Sequence, residues 1–178
     1  SFTGSTNVGT RITQLAGVKK LSLELGASCP VVVMPDADID AAAAAVALGG
    51  YVNAGQVCIS VQRVITHPAI SNDFLDALVA RVGKISTGDP MSADTTMGTL
   101  ITTGEAQRVE QSIQAAVGAG AQLLIGGRRE GAIVSPAVVA GVDPASAFSQ
   151  DELFGPAVAV SVAQDWQSAI AQANGTAY

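Results

Sequence analysis

Short β-branched apolar runs alternate with longer stretches of helical spacing throughout this chain, and that alternation restricts its fold more than any other feature. Leu21 to Leu25, Val31 to Met34, Arg63 to Thr66, Gln122 to Ile125, Ile133 to Val139 and Ala157 to Val162 read as strands. Helices are predicted from a cap at Ser5 or Thr6 to about Ala16, over Ala41 to Val52, Ile70 to Ile85, Glu105 to Ala119 and Trp166 to Ala173. A helix between successive strands is the crossover that parallel pairing requires. The expected fold is therefore α/β: an open, mainly parallel, twisted sheet with helices on both faces.

The punctuation agrees with this reading. Gly17 supplies a stop after the first helix, and Pro35-Asp36 ends a strand and leads to a cap at Asp38 or Asp40. Ala41 to Val52 is rich in the best helix former, and a long loop holds Gly88-Asp89-Pro90 and Met97-Gly98. With 178 residues, 48% of them hydrophobic and 13% charged, the chain can bury a sizeable core as one compact domain. Its net charge of −6, without a run of Lys or Arg, excludes a phosphate-backbone or anionic-membrane binder.

Two cysteines far apart and a single histidine, His67, form no metal-ligand pattern, and the absence of a cysteine framework suits a reducing compartment. No signal-like leader or membrane-length apolar stretch is visible, so the protein reads as cytoplasmic. Ser1-Phe2-Thr3-Gly4-Ser5 opens without a methionine, and the chain stops at Tyr178 just as a helix ends. Both ends read as cuts in a longer chain.

Cys58 is the strongest candidate for chemistry. It follows Asn53-Ala54-Gly55-Gln56-Val57 in a loop between an expected helix and an expected strand, where free backbone N–H groups would favour a thiolate and stabilise an oxyanion. A free cysteine is as a rule a buried small hydrophobe, and Cys29, beside an apolar run, fits that description better. Gly4-Ser5-Thr6-Asn7-Val8-Gly9 is a glycine-bracketed turn entering a helix, either a simple cap or an anion site. It is neither GxGxxG nor a Walker A loop, since Thr10 stands where lysine is needed.

Glu24 interrupts Leu21-Ser22-Leu23-Glu24-Leu25-Gly26. It is either a partly buried carboxylate suited to general-base work or an outward-facing strand residue. Asp151-Glu152-Leu153-Phe154-Gly155-Pro156 is a second loop before a strand, with a carboxylate beside an aromatic, and is either a turn or a ligand contact. His67 precedes Pro68 at a strand end and reads as structural, which leaves Cys58 without a histidine partner and Glu24 as the remaining base.

Taken in order, Phe2-Thr3-Gly4-Ser5-Thr6 with Val8-Gly9, Leu23-Glu24-Leu25-Gly26, Asn53 to Cys58, Glu152 to Pro156 and Ala173-Asn174 closely resemble the ordered motifs of the NAD(P)-dependent aldehyde dehydrogenases, over essentially the whole chain. The resemblance implies a Rossmann-like catalytic-domain fold, with residues 1–26 ending a coenzyme-binding domain and 27–178 forming a catalytic domain truncated at its C-terminal end. It implies that Cys58 attacks an aldehyde carbon, that hydride passes from the thiohemiacetal to NAD or NADP, and that Glu24 activates the water that hydrolyses the thioester. Glu152 would hold the nicotinamide-side ribose and Phe154 would position it. Gly4 and Ser5 would lie near the pyrophosphate, with Leu25 also at the coenzyme, and Cys58 N–H would supply half of the oxyanion hole.

The resemblance further implies a small aldehyde substrate and a homodimeric or homotetrameric full-length enzyme. Ala27 and Ser28 depart from the family's commonest Gly-Lys after the glutamate, and the asparagine completing the oxyanion hole and the adenosine-ribose residues would lie upstream of Ser1. The isolated chain is accordingly expected to be inactive. Two rivals remain: a structural or interaction domain that kept the fold without the activity, and a cysteine hydrolase, which lacks its histidine.

Overall fold

The computed structural model describes residues 1–178. It opens with two short strands, β1 (Phe2–Thr3) and β2 (Leu23–Glu24), paired in parallel on either side of helix α1 (Thr6–Leu15). The chain continues through β3 (Cys29–Val33), α2 (Ile39–Tyr51), a 3₁₀ turn (Val52–Gly55), β4 (Val61–Thr66), α3 (Ser71–Val82) and α4 (Thr103–Gly118). After these come β5 (Gln122–Ile125), the hairpin of β6 (Arg129–Glu130) and β7 (Ile133–Val134), β8 (Ala137–Ala140), α5 (Ala147–Gln150), β9 (Ala157–Val162) and α6 (Trp166–Ala173).

Five strands form the main sheet in the order β3-β4-β9-β8-β5, parallel throughout except where β5 runs antiparallel to β8 at one edge. Strand side chains alternate between faces, and here each face has its own cover. On one side Val64, Val138, Val158 and Val160 meet Ala43, Val46 and Tyr51 of α2 and Phe74, Leu78 and Val82 of α3. On the other, Ala137, Val139, Ala157 and Ala159 meet Ala106, Val109, Ile113 and Ala116 of α4. A smaller cluster joins Ile65 of β4 to Ala169 of α6. No residue of 1–26 belongs to these three cores.

The expected α/β fold with a mainly parallel sheet is thus observed, and the boundary differences have local causes. The strand expected over Leu21 to Leu25 contracts to two residues because β1 offers only two partners. Ile133 to Val139 divides at Pro136, which has no N–H to continue a ladder; the part before it joins the hairpin and the part after it enters the main sheet. Asp38 is the cap of α2, accepting from Ala41 N–H, so that helix starts at Ile39. The third helix stops at Val82, where Gly83 to Ile85 bend away in a tight turn.

Tyr51 closes α2 by donating its hydroxyl to Ala137 O across the core at 2.7 Å, and complete burial pushes its phenol pKa upward. Tyr51→Phe leaves that carbonyl short of a donor, and urea unfolding is expected to show a loss of about 1–2 kcal/mol with an unchanged m-value.

Candidate functional site

The nucleophile loop is built on unusual backbone. Asn53, Ala54 and Gly55 take φ values of 52°, 55° and 69°, consecutive left-handed residues that reverse the chain between α2 and β4. Only glycine fits at position 55: a Cβ there would lie 2.2 Å from Gly155 O, so this loop touches the backbone of the loop carrying Glu152 and Phe154. The Gln56 amide bonds Asn53 O at 3.0 Å and Thr99 O at 3.3 Å, and its carbonyl accepts from Ile101 N–H at 2.9 Å, which ties down the segment just before Cys58. Cys58 itself is exposed at the tip of a turn closed by Ser60 N–H to Val57 O, and its own N–H makes no hydrogen bond within the chain.

The extended segment 23–29 threads the remaining pieces together. Glu24 O accepts from Gly4 N–H at 3.0 Å, and Leu25 lies against Gly9 so closely that a Cβ there would come within 2.4 Å of Leu25 Cδ2. Ala27 N–H donates to Glu152 Oε1 at 3.2 Å, and a Cβ on Gly26 would lie 2.3 Å from Glu152 Oε2. Ser28 Oγ donates to Ser149 O, and Cys29 Sγ donates to Cys58 O at 3.6 Å. Gly4, Ser5, Glu24 and Leu25 therefore form one group around the start of α1; Gly26, Ala27 and Glu152 form the next, and Cys29 with Cys58 the third.

Partial burial of Glu24 is not observed. Its side chain is exposed on the outward face of a two-residue strand. Ser5 caps α1, its Oγ accepting from Val8 N–H at 3.4 Å, while Thr6 Oγ1 in the first helical turn is buried without a partner. Phe154 is exposed and holds φ 50°, a left-handed conformation rare for a bulky residue. His67 Nδ1 accepts from Ala69 N–H and shapes the turn into α3, in keeping with a structural role. Cys29 is half-buried; that burial raises its thiol pKa, and the neighbouring Cys58 raises it further.

Sequence reasoning missed the groups that hold Glu152. Buried Gln62 of β4 donates to Asp151 O and accepts from Leu153 N–H at 2.8 Å, gripping the chain on both sides of the glutamate. Arg108 donates to Leu153 O at 2.7 Å while paired with Glu105. The available signal was an amide and an arginine, Gln62 and Arg63, side by side in a short β-branched strand. A cavity of about 470 Å³ opens between α4 and α5 instead of at Cys58, and reaches the site through Arg108, Asp151, Glu152 and Leu153. No helix is long and apolar enough to cross a membrane.

The model of the aldehyde dehydrogenase family matches residues 1–178. The lactaldehyde dehydrogenase of Methanococcus aeolicus is 37% identical over 178 residues, which cover 100% of this chain and 38% of that protein. The chain superposes on the betaine aldehyde dehydrogenase of Staphylococcus aureus, solved in complex with NAD+, with a TM-score of 0.94 at 34% identity, covering 99% of this chain and 37% of the other. On the glyceraldehyde-3-phosphate dehydrogenase of Methanocaldococcus jannaschii, complexed with NADP, the TM-score is 0.96 at 36% identity, covering 100% of this chain and 39% of the other. The chain thus spans about two fifths of the length of the proteins it matches. Likeness that runs unbroken from the turn before α1, through both loops, to the end of α6 leads to one conclusion: the chain belongs to the aldehyde dehydrogenase family.

Proposed function

We propose that this chain is the catalytic portion of an NAD(P)-dependent aldehyde dehydrogenase that oxidises a small aldehyde to a carboxylic acid, with Cys58 as nucleophile and Glu24 as the base that activates the hydrolytic water. The observation that carries the reading is the backbone contact of Gly55 with Gly155, which joins the thiol loop to the loop of Glu152 and Phe154 in a chain of this family. Residues 1–26 are then the end of a coenzyme-binding domain and 27–178 the catalytic domain, a division favoured by the absence of 1–26 from the three cores.

The residues present fit a nicotinamide coenzyme. The Thr6 and Asn7 N–H groups at the start of α1 have no partner within the chain, Thr6 Oγ1 beside them is orphaned, and Glu152 Oε2 accepts no hydrogen bond within the chain. Gly4, Ser5 and Leu25 would hold its phosphate-side turn, and Glu152 and Phe154 its nicotinamide side. When bound, it supplies the hydride acceptor for aldehyde oxidation. Cys58 adds to the aldehyde carbon, and its unpartnered N–H donates to the oxygen on which negative charge develops. Glu24, exposed and therefore open to solvent, takes a proton from the water that attacks the thioester. The full-length enzyme is a cytoplasmic homodimer or homotetramer on this reading.

The test uses the natural full-length protein with NAD+ or NADP+ and a panel of aldehydes, following coenzyme reduction. No reduction with any aldehyde would overturn the assignment. In that protein Glu24→Gln is expected to lower steady-state turnover about 10²–10⁴-fold while leaving a first-turnover burst and an acylated Cys58 visible by intact mass. Gln62→Leu, which releases both neighbours of Glu152, is expected to raise the coenzyme KM about tenfold with a much smaller change in kcat.

A further inference from the structure

The two cysteines of this chain, separated by the whole of α2 in sequence, meet at the site. Cys29 Sγ lies 3.6 Å from the carbonyl oxygen of Cys58, and the fold leaves slack on both sides of that contact. Cys29 opens the edge strand β3, and the pairing with β4 slips there: Cys29 faces Val61 while Pro30 faces Arg63, so the ladder is irregular at the point where a thiol would have to move. Cys58 stands at the exposed tip of the Val57–Ser60 turn, outside any ladder. From this geometry we propose that Cys29 and Cys58 form a reversible disulfide, with Cys58 as the peroxide-reactive thiol and Cys29 as the resolving thiol.

The asymmetry of the pair fixes the order of events. Cys58 is open to solvent, whereas Cys29 is half-buried, and desolvation together with the neighbouring Cys58 raises its thiol pKa. Cys58 sulfur attacks a hydroperoxide oxygen, forming an S–O bond as the O–O bond breaks, so that the sulfur becomes a sulfenic acid and water or an alcohol leaves. Cys29 then loses its proton and attacks the Cys58 sulfur, forming the S–S bond as S–O breaks and a second water leaves. Two thiols have given up two electrons and two protons to one hydroperoxide, and a dithiol reverses the change. The product protects Cys58 from further, irreversible oxidation.

The pairing stands on the geometry of the two residues; its consequence, reversible loss of turnover, rests on Cys58 being the nucleophile of the proposed reaction. Both cysteines fall in one tryptic peptide, Leu21 to Arg63, since no Lys or Arg lies between them, but Asp36, Asp38 and Asp40 allow a second cleavage. The full-length protein is treated with about a tenfold molar excess of hydrogen peroxide, more than the two equivalents a sulfinic acid requires, alkylated without reduction, and cut with trypsin and an aspartate-specific protease. The expected result is a Cys29–Cys58 linked peptide that disappears with dithiothreitol, both thiols returning. In Cys29→Ser the same dose is expected to drive Cys58 to sulfinic acid, with at least about fivefold less Cys58 thiol recovered on reduction. Sulfinic Cys58 in the unsubstituted protein with no linked peptide, or equal thiol recovery in Cys29→Ser, overturns the pairing. Aldehyde oxidation is measured on the same samples: activity that persists in fully linked protein leaves the disulfide standing and overturns Cys58 as nucleophile.

Discussion

Cys58→Ser in the full-length protein is expected to lower kcat/KM for every accepted aldehyde by at least about 10³-fold, with coenzyme affinity unchanged. The substitution changes one atom in an exposed turn, so the fold has no reason to respond. The chemistry does: a serine hydroxyl needs a base to become a nucleophile at neutral pH, and the one histidine in the chain has its Nδ1 occupied by Ala69 N–H at the far end of β4. Progress curves of coenzyme reduction, together with a direct coenzyme-binding titration, separate loss of the nucleophile from loss of binding. Iodoacetamide at neutral pH gives an independent reading: Cys58 is expected to label faster than the half-buried Cys29, whose raised pKa keeps it a thiol. Retained activity in Cys58→Ser would remove the proposed mechanism.

Arg63→Met is expected to be the most destabilising single substitution at the site's foundations, by about 3–5 kcal/mol. Arg63 sits in β4, only 6% exposed, and no carboxylate neutralises it. Its guanidinium donates instead to three backbone carbonyls: Ser28 O at 2.7 and 3.1 Å, Gln172 O at 3.0 Å and Ala173 O at 2.9 Å. The last two are C-terminal carbonyls of α6, where a cation is favoured by the helix dipole, and Gln172 O also accepts from Gly175 N–H. One side chain thereby fastens the end of α6 to the segment that carries Glu24, Leu25 and Cys29. Burial lowers the Arg63 pKa without removing its charge at neutral pH. Methionine fills comparable volume but leaves all three carbonyls without their charged donor. A fall in the urea midpoint, accompanied by earlier proteolytic cleavage near Gly175, is the expected signature; an unchanged midpoint would show that the clamp contributes nothing.

Much of the fold was legible because its signals are local. The alternation of valine and alanine in Ala157–Val162 marks a strand covered on both faces, and Asp38 and Ser5 cap the helices they were expected to begin. The caps of α4 and α6, Thr102 and Asp165, were not singled out; the Asp165 carboxylate is held below its usual range by the Ser168 N–H and hydroxyl. The hairpin of β6 and β7, and the short helix α5, were not legible, since two to four residues give no periodicity to read. The antiparallel edge strand β5 was read as a strand but not in its direction, which depends on the returning hairpin.

The sequence by itself determined the catalogue of the candidate site and its order along the chain: a glycine turn before a helix, a carboxylate in an apolar run, a thiol in a loop, and a carboxylate beside an aromatic. Tertiary structure alone decided which of these touch. Gly55 against Gly155, Gln62 on both sides of Glu152, Arg63 under α6 and Cys29 beside Cys58 join residues distant in sequence. It also decided that Glu24 faces outward, since burial is a property of what lies opposite a residue. Local propensity and capping act over a few residues and can be read from neighbours. Contacts across a sheet are fixed by strand order, which no short stretch of chain encodes.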